Sequence, residues 1–199
     1  MKLYYSPGAC SQSPHIVLRE AGIAFEMEKV DLDSKMTETN VDFRTINPNG
    51  YVPALVLDDG QILTEGPAII QYLADQAPQS KLAPSPGTFE RVRLQEWLNF
   101  VSTEMHKGMG GLFNKKMPAE WRSVVMDTLA VRLDYLSRHL EDHPFLMGGG
   151  FTVVDAYLFV VLGWGKWVEV DIGHWPVLVS YCDRIAARPA VQTALAAEG

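Results

Sequence analysis

Cysteine is scarce in this chain: among 199 residues only Cys10 and Cys182 carry a thiol. Two cysteines exclude a disulfide-stapled scaffold. A basic excess is also absent. Lys and Arg number 17 against 24 Asp and Glu, a formal net charge of −7, whereas a protein that holds nucleic acid by neutralising phosphates needs a basic face. No apolar run reaches the roughly 20 residues of a membrane-spanning helix. The longest candidate, Phe151 to Trp164, is interrupted by Asp155 and reads as a buried helix. No secretory apolar region precedes the turn-prone Ser6-Pro7-Gly8. Metal-ligand spacing is missing as well. Of the five histidines only His139 and His143 stand at helical spacing, with no third ligand nearby, so no metal is expected. These absences imply a cytoplasmic protein with reduced thiols and no membrane or nucleic-acid partner. What is present is an ordinary globular composition, 47% hydrophobic and 21% charged. That is apolar enough to offset the ordering entropy that keeps disordered chains unfolded, over a length suited to one or two domains.

The first 80 or so residues alternate short strand and helix patterns, the signature of an α/β unit. Leu3-Tyr4-Tyr5 is a short apolar strand. Ser11 to Ala21 predicts a helix, with Pro14 in its first turn and Gly22 as a left-handed stop. Phe25 to Leu32 predicts a second strand with apolar residues at 25, 27, 30 and 32 and a phase slip near Lys29 that suggests a bulge. Asp58-Asp59-Gly60 between Ala54–Leu57 and Gln61–Leu63 is a hairpin signal, because glycine accepts the positive φ of the turn. Gly66-Pro67 opens a helix through Ala74. Residues 77 to 87 hold Pro78, Pro84 and Pro86 and read as a linker. Beyond it the period is helical: Leu94, Trp97, Leu98, Val101 and Met105 form one apolar stripe, and Val125, Leu129, Leu133, Leu136 and Leu140 another. Thr152-Val-Val-Asp155 is a capping-box pattern. Cys182, in the stripe Leu178, Tyr181, Cys182, Ile185, reads as core filler.

Four constellations carry chemistry. Cys10 lies where the first strand meets the first helix, and unpaired amides and the helix dipole there favour a thiolate. Cys10-Ser-Gln-Ser13 also has the spacing of a thiol-redox motif; a small residue needed for a tight turn is the alternative, and the strand-to-helix junction favours function. Pro53 precedes the strand at Ala54, where a plain strand-capping proline and a cis Val52–Pro53 bond are both compatible; the cis form would turn the Val52 backbone outward for strand addition. Glu65-Gly66 at a helix start offers a carboxylate beside helix amides, a pair that matches the ammonium and carboxylate of an amino acid; a solvated glutamate that gains only from the helix dipole is the alternative. Asn99, Thr103 and His106 stand at i, i+4 and i+7 opposite an apolar stripe, with Lys107 adjoining, and are hydrogen-bonding neutrals rather than the Glu/Lys mix of a wet face.

Six stretches in order, Met1-Lys-Leu-Tyr-Tyr-Ser-Pro-Gly-Ala-Cys10-Ser, Asn47-Pro-Asn-Gly-Tyr-Val-Pro53-Ala-Leu, Leu63-Thr-Glu-Gly-Pro-Ala-Ile69, Glu96-Trp-Leu-Asn99, Glu104-Met-His106-Lys-Gly and Phe151-Thr-Val-Val-Asp155-Ala-Tyr-Leu, together resemble the bacterial beta-class glutathione transferases along the whole chain. The resemblance implies a thioredoxin-like α/β domain over residues 1–78, a linker over 79–87 and an all-α domain over 88–199 that carries the electrophile pocket. It implies a cis Val52–Pro53 bond, a homodimer, no cofactor, and a site for the co-substrate glutathione where the domains meet. Cys10, His106 and Tyr5 become the catalytic candidates. Ala9, Lys35, Tyr51, Val52, Pro53, Glu65 and Gly66 become glutathione contacts, joined by Asn99, Thr103, Glu104 and Lys107 from the helical part. Lys35 would meet the glycyl carboxylate, the Val52 backbone the cysteinyl part, and Glu65 with Gly66 the γ-glutamyl end. Tyr51 stands where relatives often carry a polar or basic residue, and Gly66 replaces a serine common in other classes. The implied activity is conjugation of glutathione to a small hydrophobic electrophile. The alternatives are glutathione-dependent thiol–disulfide exchange through Cys10 and non-catalytic binding of apolar ligands. Met109, Leu112, Phe113, Trp164 and Trp167 are candidates for the electrophile pocket or for the core.

Overall fold

A computed structural model describes all residues, Met1–Gly199. The elements in chain order are β1 (Lys2–Tyr5), α1 (Gln12–Ala21), β2 (Glu26–Lys29), β3 (Ala54–Val56), β4 (Ile62–Thr64), α2 (Gly66–Gln76), α3 (Phe89–Phe100), a π-helical stretch (Val101–His106), α4 (Lys107–Gly111), α5 (Ala119–Asp142), α6 (Val153–Gly163), α7 (Gly165–Val168), α8 (Pro176–Ala186) and α9 (Pro189–Glu198). They form two compact units, one of residues 1–83 with 188–199 and one of 84–187. The sequence pattern ends the first domain at 78 and assigns residues 88–199 to the helical domain. In the structure α9 packs with α1 of the first unit instead.

The first unit is a four-stranded sheet in the order β2-β1-β3-β4, with β1 and β2 parallel and the other pairs antiparallel. The β1–α1–β2 crossover and the β3–β4 hairpin are the α/β and hairpin patterns seen in the sequence. Gly60 takes φ +85° in the hairpin turn, and Gly22 takes φ +66° at the end of α1, conformations in which a Cβ would be strained. Leu3, Ile16, Leu55, Ile69, Ile70 and Leu73 are sealed from solvent and form much of the unit's core. β2 departs from its predicted pattern. It ends at Lys29, and the buried residue is Glu28, not Phe25. Burial alone would raise the Glu28 carboxyl, but hydrogen bonds from Thr39, Lys2 and Thr37 hold it at about 2. A charged side chain with that many donors occupies a place that hydrophobic periodicity reserves for apolar residues.

α9 is tied to α1 by polar contacts. Glu198, with 2% of its side chain exposed, accepts hydrogen bonds from Gly8 N (3.1 Å), Gln12 Nε2 (3.0 Å) and His15 Nδ1 (2.8 Å). Arg19 Nε donates to His15 Nε2 at 2.8 Å, which leaves the imidazole proton on Nδ1, facing Glu198. Arg188 pairs with both carboxylate oxygens of Glu20 at 2.6 and 2.8 Å.

The second unit is entirely helical. Leu129, Leu133, Leu136 and Leu140 of α5 and Leu178, Tyr181 and Ile185 of α8 are buried, as their stripes predict. α6 is buried on nearly every face and begins with the predicted capping box of Thr152 and Asp155. Asp155 does more than cap. Fully buried, it accepts Leu146 N (2.8 Å), Thr152 N (2.9 Å), Thr152 Oγ1 (2.9 Å) and Tyr181 Oη (2.9 Å), joining α6 to α8 and to the loop before it. Cys182 lies half-buried on α8 with its thiol pushed up to about 12 by burial and by Asp183, in keeping with filler. No helix is long and apolar enough to cross a membrane.

Two substitutions measure these polar anchors. Asp155→Ala leaves buried donors unpaired and is expected to lower the unfolding free energy by about 3 kcal/mol. Glu198→Ala strips a buried network of its acceptor, with an expected loss of about 3–5 kcal/mol. Urea unfolding reads both, and a loss below about 1 kcal/mol for either would show that the network contributes little.

Candidate functional site

In the first unit the candidate residues converge on one edge. The Val52–Pro53 peptide is cis. The buried Asn47 shapes the turn ahead of it, with Nδ2 donating to Tyr51 O at 2.7 Å and Oδ1 accepting Asn49 N at 3.2 Å. Val52 N makes no hydrogen bond within the protein, and its carbonyl accepts the Cys10 thiol at 3.2 Å. Cys10 is half-buried, two residues before the first residue of α1, at the positive end of the helix dipole. Ala9 packs on the cluster of Tyr4, Val30, Phe43, Val52 and Ala54. Gly66, the first residue of α2, comes so close to the Pro53 ring that an added Cβ would lie 3.8 Å from it. Its amide is unpaired within the protein. Glu65 is exposed and caps nothing with its side chain. It takes φ +69°, rare for a residue with a Cβ, and strain of this kind gathers at functional sites.

Lys35 also has a left-handed backbone, φ +62°. Its ammonium donates to Gly50 O at 3.0 Å and lies 5.6 Å from the centre of the Tyr51 ring, with no carboxylate in ion-pair range. Tyr51 is 71% exposed. Tyr5 ends β1, half-buried and without a hydrogen bond to Cys10. Burial, then the charges of Glu38 and Glu198, raise its phenol, which works against a phenolate role.

In the second unit the helical candidates separate onto two faces. Asn99, Thr103 and Glu104 line an open groove of about 850 Å³ between α3 and α5. Thr103 Oγ1 donates to Asn99 O at 3.0 Å, and Glu104 accepts Arg132 Nε at 2.7 Å. His106 is absent from that groove. Its Nδ1 lies 2.5 Å from the Tyr157 hydroxyl of α6, and its ring meets Trp164 edge-on at 4.8 Å. A seven-residue offset returns to the same side of an α-helix, and the sequence reading put Asn99, Thr103 and His106 on one stripe for that reason. The π-helical stretch bonds i to i+5 and turns less per residue, so His106 arrives on a different face. Lys107 is exposed. Of the apolar candidates, Met109, Leu112 and Trp164 are buried, whereas Phe113 (46%) and Trp167 (52%) are open to solvent. No group of three His, Cys, Asp or Glu side chains is placed to hold a metal ion.

Two contributors escaped the sequence reading. Asn47 was visible only as part of a turn cluster. Tyr157 sits on a helix that is apolar all round, where a tyrosine reads as core.

Burial, and then the charge of Lys107, lower His106 to about 4. The imidazole is therefore neutral at neutral pH. An unfolded chain protonates it near ~6.5, so between the two values the unfolded state binds more protons, and stability falls as pH drops through that window. His106→Gln is expected to flatten this dependence between about pH 6.5 and 4, as read by urea unfolding. A variant that keeps the full slope would place the titrating group elsewhere.

The chain matches known proteins along its whole length. The profile of the Glutathione S-transferase, N-terminal domain matches residues 8–76, and that of the Glutathione S-transferase, C-terminal domain matches residues 100–189. The chain is 45% identical over 199 residues to Glutathione S-transferase GstA of Escherichia coli O157:H7, covering 100% of this chain and 99% of that one. Among solved structures it superposes on the ternary complex of BphK, a bacterial GST, with a TM-score of 0.98, 55% identity and all of both chains covered. On the bacterial beta class glutathione S-transferase of Sphingomonas chungbukensis the TM-score is 0.96 at 49% identity, covering 100% of this chain and 99% of that one. With a thioredoxin-like sheet unit and a helical unit that each match their counterparts in these proteins, the chain belongs to the glutathione S-transferase family and to its bacterial beta class.

Proposed function

We propose that this protein conjugates reduced glutathione to small hydrophobic electrophiles. The observation that carries the reading is the Val52–Pro53 edge, where an unpaired amide, the Cys10 thiol and the first amide of α2 lie together. Glutathione is an extended peptide with a thiol at its centre. Its cysteinyl part pairs with the Val52 N–H and C=O as an added strand would. The γ-glutamyl carboxylate takes the Gly66 amide at the start of α2, and the ammonium beside it takes Glu65. Lys35, lacking an acidic partner, takes the glycyl carboxylate.

The chemistry follows from charge. A free thiol of this type has a pKa near ~8.5, so little is ionised at neutral pH. The thiol gives its proton to water. The thiolate is then stabilised by the positive end of the α1 dipole. His106, a neutral N–H donor, is the catalytic candidate of the helical unit. The thiolate sulfur forms a bond to the electrophilic carbon as the leaving group departs with the bonding electrons. Phe113 and Trp167, both open to solvent, suit the apolar part of such a substrate. A cytoplasmic role in detoxification accords with this chemistry.

The homodimer we place on α3 and α5. Their groove carries Arg93, Arg132 and Arg138 together with Glu96 and Glu104, beside the exposed Val131 and Tyr135. Both signs of charge on one face let a two-fold copy pair with itself.

The protein is expected to bind immobilised glutathione and to turn over 1-chloro-2,4-dinitrobenzene; failure to bind glutathione would overturn the assignment. Glu65→Ala is expected to raise the glutathione KM by about tenfold or more, the loss of a charge-assisted hydrogen bond. Cys10→Ala is expected to keep conjugation and lose glutathione-dependent disulfide reduction; loss of both would make Cys10 part of the conjugation step itself. Sedimentation should show a dimer that Arg132→Glu weakens.

A further inference from the structure

His106 is held by two aromatic side chains of its own unit. The Tyr157 hydroxyl lies 2.5 Å from Nδ1, with the two rings 5.7 Å apart and inclined at 71°. Trp164 meets the imidazole edge-on at 85°, with centroids 4.8 Å apart. Tyr157 itself is 2% exposed. The π-helical stretch ends at His106 and packs against α6, which carries Tyr157. Single π turns of this kind recur at functional sites.

The hydrogen bond has a preferred direction. A phenol is a better proton donor than a neutral imidazole, and an imidazole nitrogen is the better acceptor, so Tyr157 O–H donates to Nδ1. A neutral imidazole has one N–H. With Nδ1 accepting, that N–H is on Nε2. Nε2 makes no hydrogen bond within the protein.

We propose that Tyr157 is a positioning residue which, through its hydroxyl, fixes His106 as the Nε2–H tautomer and so leaves that N–H as the one donor the ring presents. The proposal rests on the role given to His106 above. Burial is what keeps the ring neutral, lowering it to about 4. Tyr157 then decides which of the two nitrogens donates. Without the hydroxyl the ring can turn over or shift its proton, and for part of the time it would present an acceptor lone pair where the N–H had been.

The test has two parts. In full-length protein carrying 15N-labelled histidine, long-range proton–nitrogen correlation at neutral pH should show His106 protonated on Nε2 alone. Tyr157→Phe, which keeps the ring and removes only the oxygen, should bring both nitrogens toward shared, averaged shifts. A wild-type proton on Nδ1, or an unchanged pattern in the variant, overturns the proposal. Kinetics with glutathione and 1-chloro-2,4-dinitrobenzene then read the consequence. Tyr157→Phe is expected to lower kcat about tenfold with the glutathione KM little changed. In a His106→Asn background the same substitution should have less than about a twofold effect. An undiminished loss in that background would mean Tyr157 acts independently of His106 and would overturn the proposal alone. A His106→Asn protein with wild-type turnover would instead remove the role of His106, and the proposal with it.

Discussion

Glu198 sits out of reach of water and accepts hydrogen bonds from Gly8, Gln12 and His15, three positions that bracket Cys10. The segment between β1 and α1 therefore owes its shape to a carboxylate nearly 190 residues away in the chain. The other side of the same segment is fixed by the Val52 carbonyl, which takes the Cys10 thiol. Between these two anchors the segment is held by its own amides, with Ala9, Gln12 and Ser13 donating to Ser6 O, Ala9 O and Cys10 O, and the positive end of α1 lies beside it. A buried charge with this many donors contributes to the shape of the loop more surely than to stability. Its own desolvation cost is large, and specific geometry is what it secures.

The electrostatics of the site run against those of the whole molecule. The chain carries a net charge of −7, and glutathione is itself an anion. In the proposed binding mode attraction comes from groups close to the ligand: the Lys35 ammonium without an acidic partner, and the amides of Val52 and Gly66. These are partial or single charges at fixed positions, and they act at distances shorter than the ~8 Å over which salt screens the rest of the surface. His106 in the helical unit adds no charge of its own, since burial keeps its ring neutral.

Local signals in the sequence were reliable wherever a few neighbouring residues decide the structure. Gly22 ends α1, Asp58-Asp59-Gly60 turns the hairpin, and Thr152 with Asp155 starts α6. The six motifs led to the fold and to the right family. What the sequence concealed depends on partners distant along the chain. Val101-Ser-Thr-Glu-Met-His106 has the composition of an ordinary helix, and nothing in it marks the extra residue per turn that separates His106 from Asn99. Tyr157 lies among apolar neighbours, so its hydroxyl had no visible purpose until the helix carrying His106 was laid beside it. Glu28 is buried because Lys2, Thr37 and Thr39 meet it, a conjunction that no window of period two contains. The placement of α9 escaped for a similar reason. Its sequence is merely helical, and the residues that claim it are in α1.

The division of the chain into units also has a consequence for how the protein is made. Residues 1–83 leave the ribosome first, but the unit they build is closed by residues 188–199. During synthesis the helical unit, continuous from 84 to 187, has all its parts before the sheet unit does. His15 and Gln12, destined to be buried, wait through the translation of more than a hundred intervening residues for the carboxylate that pairs with them. Contacts this distant in sequence are slow to form because so much chain must be brought together. A nascent chain interrupted before α9 would hold a sheet unit whose loop around Cys10 lacks one of its two anchors, so the final shape of that loop waits for the last residues of the chain.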